Sequence, residues 1–462
     1  MAGIGFELRK MLDKKSVLTY AGYYSASAIV YVGPTILGIA LLAAVRLLCE
    51  MNGTSKADQD MIIVIISYSI IAAITINNLF NLIMTRYTAD CIFEHRHKDV
   101  LPAMYGGIVI QLGIGILLYG VFVIFSGIDL VTGILTFMMF SLFIVAWTMI
   151  SFLSAVKDYK RIMLFFILGI GVAIAAGYLL IQTELNAVHA LLIMVIIGYG
   201  FMITAYHIIL CRYFNIRSRR FFAFLSYIKK YPELIIIGIC ITVGMYFHMI
   251  WMWYSPFGVT VAGQLFRSMP IYDIPALFAF ITTFFATINF SAQVEVNFYP
   301  FYRNYFDLLN GGGTIRQIDA AERSLTSTMW RELSYLTIKQ LIFSVLVIAL
   351  GAQLLDAVGI VYLDNVSEGV FQTLCIGYGL YAVGNSIMLI LLYFSDYVDA
   401  AIATFVFAAG TIAGSIIFDD NFAVIGLGFT IGAALFYITS ILLLYKYTSK
   451  LRFRVLTKVG NV

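Results

Sequence analysis

Long apolar stretches alternate with short polar ones along the whole chain, and this pattern predicts a bundle of membrane-spanning helices. A span needs about 20 mostly apolar residues, and twelve stretches of this 462-residue chain qualify. They cover residues 18–48, 61–84, 104–125, 130–153, 162–182, 188–210, 234–254, 273–293, 338–355, 369–394, 398–417 and 422–445. The chain is therefore predicted to be an all-α polytopic membrane protein with both termini on the same side.

Composition supports a bilayer as the solvent of this chain. Hydrophobic residues make up 61% of it and charged residues 12%, whereas about a quarter of the residues of a soluble protein are charged. The net charge of +4 is too small to indicate nucleic-acid binding. The five cysteines form no CxxC pair. The sequence predicts neither a metal site, a cofactor nor a catalytic site.

The distribution of positive charge predicts the orientation in the membrane. If both termini lie inside, only three of the 29 Lys and Arg residues, Arg46, Lys56 and Arg267, fall in outer segments. Positively charged residues beside spans stay on the cytoplasmic side. Both termini and the basic stretch 211–233 are therefore predicted to be cytoplasmic, and the protein to lie in the cytoplasmic (inner) membrane.

This basic stretch divides the chain into two predicted halves of six spans each. The predicted parts are an N-terminal six-helix bundle (1–210), a basic cytoplasmic hinge (211–233), a C-terminal six-helix bundle (234–445) and a basic cytoplasmic tail (446–462). Thr-Ile-Asn occurs at 75–77 and again at 287–289, and Val-Gly occurs at 32–33 and again at 243–244, at nearly the same separation. Since each half has an even number of spans, the halves are predicted to be parallel repeats.

The longest inner loop, 294–337, is predicted to form a cytoplasmic helical hairpin that turns at three glycines. Thr314 and Gln317 have the spacing of a capping box at the start of its second helix. Ile318, Leu325 and Met329 lie near one face of that helix, and the sequence offers them no partner. We therefore predict that these three residues dock another protein.

Polar residues inside the predicted spans are the candidates for a transport pathway. Lipid cannot form hydrogen bonds with them, so they face the protein interior or an aqueous cavity. Amides suit a sugar cargo, but they could equally hold helices together. The candidate lumen residues are Asn77, Asn78, Asn81, Arg86, His248, Asn289, Gln293 and Glu295.

Two further features could control passage through the membrane. Arg46, Arg267 and Asp273 lie near the predicted outer face and are candidates for an outer gate. Gly33 and Pro34 interrupt the first span, because proline lacks an N–H and clashes with the preceding turn. That break could serve gating or simply curve the helix, and both interpretations stay open.

Four stretches of the sequence resemble the PelG family, the multispanning subunits of the Pel exopolysaccharide machinery. They are MAGIGFELRKML (1–12), the Gly33-Pro34 pair, FLSAVKDYKRI (152–162) and FYRNYFDLLNGGGTIRQIDAAERSL (301–325). The resemblance implies two six-helix bundles around a lumen, as in the multidrug/oligosaccharidyl-lipid/polysaccharide exporter superfamily. It also implies a galactosamine/N-acetylgalactosamine-rich polysaccharide cargo, a role in biofilms, and three partners: a PelF-type cytoplasmic glycosyltransferase and PelD- and PelE-type membrane subunits.

We therefore expect a non-enzymatic transporter of polysaccharide, with the glycosyltransferase docked on the hairpin. One alternative is an ion-coupled exporter of small molecules or lipid-linked sugars on the same fold. It would need a carboxylate deep in a span, and none of the twelve spans has a clear one. A membrane-embedded transferase, or a scaffold that only docks the glycosyltransferase, would also be compatible with the pattern of spans.

Overall fold

The computed structural model describes residue 28 and residues 32–156, 158–214, 218–291, 296–357, 363–418 and 424–459. Helices follow one another through this part of the chain, with one β-hairpin between them. The helices are α1 Gly33–Met51, α2 Lys56–Phe93, α3 His97–Phe125, α4 Leu130–Val156, α5 Tyr159–Leu180, α6 Ala187–Tyr213, α7 Ser226–Lys230, α8 Glu233–Tyr254, α9 Pro270–Phe280, α10 Thr282–Asn289, α11 Val296–Asn310, α12 Ile315–Ala357, α13 Asn365–Tyr393, α14 Tyr397–Ile417, α15 Leu427–Thr448 and α16 Leu451–Val459. The antiparallel strands are β1 Val259–Ala262 and β2 Phe266–Ser268.

Within the described residues, eleven helical segments are long and apolar enough to cross a membrane. They correspond to the second to twelfth predicted spans, while the first predicted span lies partly outside the described residues and continues into α1. The apolar part of α12 shows the surface that lipid requires, since Leu341, Ile342 and Val345 are each more than half exposed. The prediction of a helical, multi-pass membrane protein is confirmed.

The second helix of the hairpin and the ninth span form one continuous helix, α12, of 43 residues. No proline interrupts this stretch, so the helix passes from the loop directly into the apolar region. Gly312 turns the chain between α11 and α12 with a φ of +81°, where glycine is favoured. The predicted capping box is confirmed: the Thr314 N–H donates to Gln317 Oε1 (2.9 Å), and the Gln317 N–H donates to Thr314 Oγ1 (3.4 Å).

The eighth span, predicted as one helix, is divided into α9 and α10. Side chains near the break compete for the backbone carbonyls, because Thr282 Oγ1 donates to the Ala279 carbonyl and Thr283 Oγ1 to the Phe280 carbonyl, both at 2.7 Å. Gln340 of α12 donates to the Thr282 carbonyl at 3.2 Å. The matching stretch in the first half, in α2, is a single helix of 38 residues.

The structure divides into two compact units, which we call the N unit (Gly33–Met269) and the C unit (from Pro270 onward). The hinge and α8 lie in the N unit, where α8 packs along α2. Gly238 of α8 lies so close to the backbone of Asn78 that a Cβ atom would collide with the Asn78 carbonyl oxygen. The predicted division at the hinge into two six-helix bundles stays a prediction.

Close helix packing also organises the C unit. Helices α14 and α15 pack against each other, and α13 contacts both. Gly414 and Gly428 allow this approach, because a Cβ on Gly414 would lie 2.7 Å from the Gly428 Cα atom. A stretch of small residues therefore brings these two backbones together, as in other membrane helix pairs.

Candidate functional site

A buried hydrogen-bonded triad joins α2, α3 and α4 inside the N unit. Asn77 Nδ2 donates to Thr148 Oγ1 at 3.0 Å and to Gln111 Oε1 at 3.3 Å. Thr148 Oγ1 in turn donates to Gln111 Oε1 at 3.0 Å. All three residues are at most 5% exposed. The Asn77 amide is therefore engaged in holding three helices together.

Asn78, the next residue along, points to a different neighbour. Its Nδ2 donates to Thr242 Oγ1 of α8 at 2.9 Å, and the Thr242 hydroxyl also donates to the Gly238 carbonyl within its own helix. Because successive residues on a helix are about 100° apart, α2 uses Asn77 on one face and Asn78 on another. The interhelical interpretation fits both amides.

Two other amides bond only within their own helices in the contacts described. Thr85 Oγ1 donates to Asn81 Oδ1 at 3.5 Å, a long hydrogen bond, and Asn81 is partly exposed. Asn289 Nδ2 donates to the Phe285 carbonyl at 2.8 Å and is 5% exposed. Gln293 and Glu295 lie outside the described residues. Of these two amides, Asn81 is the one that is partly exposed.

His248 is buried in α8 at 2% exposure. Phe247 and Trp251 on the same helix stack with ring centroids 5.7 Å apart. The outer part of α8 thus carries aromatic side chains, as expected near a membrane–water interface. That His248 contacts the cargo stays a prediction.

Arg86 lies at the inner end of α2 beside the hinge. Its guanidinium is 3.4 Å from Asp90 and stands over the ring of Tyr231, 5.8 Å from the centroid. Tyr227 of the hinge donates its phenol proton to Asp90 at 2.9 Å. Burial, together with the bond to Asp90, raises the pKa of Tyr227 to about 12, so the phenol stays protonated. This cluster fixes the hinge to α2.

Two of the candidate gate residues, Arg46 and Arg267, have polar or aromatic partners within the N unit. Arg46 pairs with Glu50 on α1 at 3.1 Å, and both side chains are more than half exposed, so this pair contributes little stability. Arg267 donates to the Gly258 carbonyl at 2.7 Å and stacks over Tyr254. Asp273 lies in the first turn of α9, where a carboxylate suits the helix dipole. A gating role for these residues stays a prediction.

Around Arg267 the sequence predicts only a short outer loop, but the structure forms the β-hairpin β1–β2, which packs on the helices of the N unit. The Tyr68 hydroxyl of α2 donates a hydrogen bond to the Arg267 carbonyl (3.0 Å) and accepts one from the Arg267 N–H (3.2 Å). The Gln264 N–H donates to the Ser126 carbonyl at 2.6 Å. Tyr68 also stacks on Trp253 of α8 at 4.5 Å. The hairpin therefore closes over the ends of α2, α3 and α8.

The sequence also predicts a helix break at Gly33-Pro34. In the structure α1 begins at Gly33, and Pro34 lies in its first turn. Proline is tolerated there, because the first N–H groups of a helix have no intrahelical partner. Residues 29–31 lie outside the described residues. A helix break at this position stays a prediction.

The predicted docking face of the hairpin α11–α12 is mostly buried within the C unit. Leu325 and Met329 are fully buried, and Ile318 is partly exposed. Helix α11 packs against α12, so the apolar face that has no evident partner in the sequence is covered within the C unit. The exposed apolar side chains of the hairpin are instead Phe301, Ile315 and Tyr335.

The basic tail forms helix α16 and is clamped to the C unit by two arginines. Arg454 Nη1 lies 2.9 Å from Asp396 Oδ2 and 2.7 Å from Asp399 Oδ2. Its guanidinium stands 5.0 Å from the ring centroid of Tyr447. Arg452 pairs with two acidic groups at the start of α12, Asp319 and Glu322. The tail thus connects the inner end of α15 to the hairpin and to the α13–α14 turn.

Sequence reasoning missed several of these residues. Gln111 is the one amide in the long apolar run of α3, a signal that could have paired it with Asn77. Thr148 and Thr242 gave no such signal, because threonine is common in membrane helices. Asp396 and Asp399 were missed because their partner, Arg454, is more than 50 residues away in sequence.

The fold matches that of transporters of the multidrug/oligosaccharidyl-lipid/polysaccharide superfamily. The chain is similar to a multidrug resistance MATE transporter in its inward-facing conformation (TM-score 0.57, 11% identity, 89% of this chain and 95% of that one). It is also similar to MATE in a bent conformation (0.59, 14%, 94% and 97%). A third similar structure is a superfamily transporter from Pyrococcus furiosus (0.55, 12%, 92% and 96%). At these identities the likeness shows the fold alone, which is that of a polytopic membrane transporter.

The family itself follows from the sequence. The family model described as "PelG: Putative exopolysaccharide Exporter (EPS-E)" matches residues 1–456. The chain belongs to the PelG family, and it is a multi-pass protein of the inner membrane. No curated protein matches the chain.

Proposed function

We propose that this chain moves a Pel-type polysaccharide, rich in galactosamine and N-acetylgalactosamine, across the cytoplasmic membrane. The match of the exopolysaccharide exporter family over residues 1–456 carries this proposal. The transporter fold supports it, since the chain has the helices to surround a pathway rather than a soluble catalytic domain. In this proposal the chain is a transporter and not an enzyme.

The positions of the carboxylates favour a polysaccharide transporter over an ion-coupled exporter of small molecules. In the described spans, carboxylates occur near helix ends, such as Asp90 in α2 and Asp399 in α14, or in the first half of α12 before its apolar part. An ion-coupled exporter would need a carboxylate deep within a span. Asn81 offers instead a partly exposed amide, which suits sugar hydroxyls.

A cytoplasmic glycosyltransferase of the PelF type is the proposed supplier of the polymer, and PelD- and PelE-type membrane subunits are the proposed companions. The surface proposed for the glycosyltransferase is the end of the hairpin α11–α12 at its glycine turn, where the side chain of Ile315 is 73% exposed. Ile315 is the first residue of α12, beside the turn and distant from the apolar part of that helix, so a cytoplasmic partner can reach it.

Transport by reconstituted vesicles tests the proposal. Proteoliposomes with the chain and the glycosyltransferase would receive nucleotide sugar outside, and polymer protected from an added glycoside hydrolase would be measured. We expect protected polymer only when both proteins are present. Vesicles that make polymer but leave all of it digestible would refute transport. Uptake of a fluorescent drug under an ion gradient, without polymer transport, would favour the small-molecule exporter.

A further inference from the structure

The part of the hinge from Arg219 to Lys230, which we call the basic segment, presents four exposed cations. They are Arg219, Arg220, Lys229 and Lys230. Among the residues that the structure describes, none of the four forms a salt bridge with a carboxylate, and Lys230 Nζ lies over the ring of Tyr231, 5.2 Å from its centroid. Their charge is therefore available to an anion from outside the chain.

The basic segment is held in a defined place on the N unit. Phe224 is fully buried, and the Tyr227 phenol donates to Asp90 of α2. The carbonyl of Phe221 lies against Gly106 of α3, where a Cβ atom would collide with it. These contacts hold the backbone of the basic segment beside the inner ends of α2 and α3, with its four cationic side chains exposed.

Aromatic side chains accompany the cations. Phe222 is 52% exposed and Phe221 38% exposed, directly after Arg219 and Arg220 in the sequence. The segment also lies between two spans, since α6 ends at Tyr213 and α8 begins at Glu233. Its position is therefore at the level of the membrane surface, where exposed rings insert among headgroups and cations bind phosphates.

We propose that the basic segment binds anionic phospholipid headgroups of the cytoplasmic leaflet, such as phosphatidylglycerol. An acidic surface of a partner protein would also attract the cations, but it would not require exposed phenylalanines at membrane level. The cytoplasmic orientation follows from the positive-inside distribution. Each basic residue near an anionic membrane surface strengthens binding about five-fold, so two residues together contribute roughly 25-fold.

The experiment uses the detergent-purified full-length chain titrated with fluorescent phosphatidylglycerol or fluorescent phosphatidylcholine, at low and at high salt. We expect tighter binding of phosphatidylglycerol, weakened by salt. Arg219→Gln/Arg220→Gln should lower that affinity by roughly 25-fold and leave phosphatidylcholine unchanged. The matched control is Arg316→Gln/Arg323→Gln, which removes two exposed charges from α12 and should change neither affinity.

A further variant separates the contribution of the rings from that of the charge. Phe222→Gln should weaken the binding of both lipids by a similar factor, because it removes apolar contact and keeps the cations. Equal affinity of the unaltered chain for the two lipids would overturn the proposal. So would an unchanged phosphatidylglycerol affinity in Arg219→Gln/Arg220→Gln, or an equal loss in the α12 control. Size-exclusion profiles identical to the unaltered chain establish that each variant is folded.

Discussion

Replacement of Arg454 by alanine should destabilise the C unit strongly, although the residue lies in the basic tail and outside the predicted spans. Asp396 and Asp399 are 5% and 7% exposed, and both place a carboxylate oxygen within 3 Å of Arg454 Nη1. Arg454→Ala therefore leaves two like charges close together and out of water, without the guanidinium that compensates them.

The magnitude follows from burial. Removing one partner of a buried ion pair costs about 3–5 kcal/mol. The Arg454 side chain is 23% exposed, so water partly screens the carboxylates. We therefore expect the free energy of unfolding to fall by about 2–3 kcal/mol. For a unit of this size, 1 kcal/mol corresponds to about 2–4 °C, which predicts a fall of roughly 5–10 °C in melting temperature.

Arg452→Ala is the matched control, because it removes the same side chain two positions away. Arg452 is 40% exposed and its partners Asp319 and Glu322 are 37% and 22% exposed. Exposed ion pairs contribute about 0.2–1 kcal/mol, so we expect a fall of no more than about 4 °C. The assay is the loss of the monodisperse size-exclusion peak with temperature, in detergent, for the full-length chain.

Asp396→Asn/Asp399→Asn provides the second arm of the experiment. In this background no charge remains to be compensated, so Arg454→Ala should cost much less than in the unaltered chain, a non-additivity that a mutant cycle measures. Equal losses from Arg452→Ala and Arg454→Ala would refute the reasoning from burial. The same cost of Arg454→Ala in both backgrounds would show that packing on Tyr447, and not charge, holds the tail.

Further predictions concern topology, the pathway, docking and packing. In a cysteine-free background, Asn186→Cys and Asp364→Cys should react with an impermeant maleimide from outside intact cells and Arg219→Cys should not; labelling of Arg219→Cys from outside would contradict the orientation. Asn81→Trp should reduce polymer secretion at normal protein levels, whereas Asn81→Leu should reduce it less; full secretion by Asn81→Trp would remove Asn81 from the pathway. Ile315→Glu should weaken co-purification of the glycosyltransferase while the protein stays folded, and unchanged co-purification would exclude this surface. Gly428→Val should prevent the close approach of α14 and α15 and lower the amount of folded protein on a membrane immunoblot; a normal amount would show that the two helices can separate.

The spans were predictable from the sequence because the bilayer imposes one requirement on all of them. Each must satisfy its backbone internally over a fixed apolar length, so hydrophobic length alone locates eleven described helical segments. What length could not show is where a helix continues beyond the membrane. Helix α12 starts at Ile315, well before its apolar part, because nothing in the intervening polar sequence stops a helix.

The contacts between helices were less predictable, because the sequence of a helix face does not indicate which residues pack against it. Leu325 and Met329 have the spacing of an exposed apolar face, and the structure buries both within the hairpin and its neighbours. A single sequence shows that a face is apolar, but not whether the same chain covers it. A surface variant such as Ile315→Glu therefore tests docking, whereas Leu325→Glu would place a charge in a packed interior and test folding instead.

The same ambiguity affects every amide in a span, and the structure resolves it residue by residue. Interhelical hydrogen bonds in membranes average about 0.6 kcal/mol, so the two bonds of Asn77 are worth about 1 kcal/mol to the N unit. Asn77→Leu should thus cost modest stability and leave a folded protein, while its effect on export should be small. Asn81, one turn further along α2 and bonded weakly within its own helix, has no comparable structural task. If both residues lined the pathway, both leucine variants would reduce secretion alike. A loss confined to Asn81 would separate the residue facing the cargo from the residue that holds the helices together.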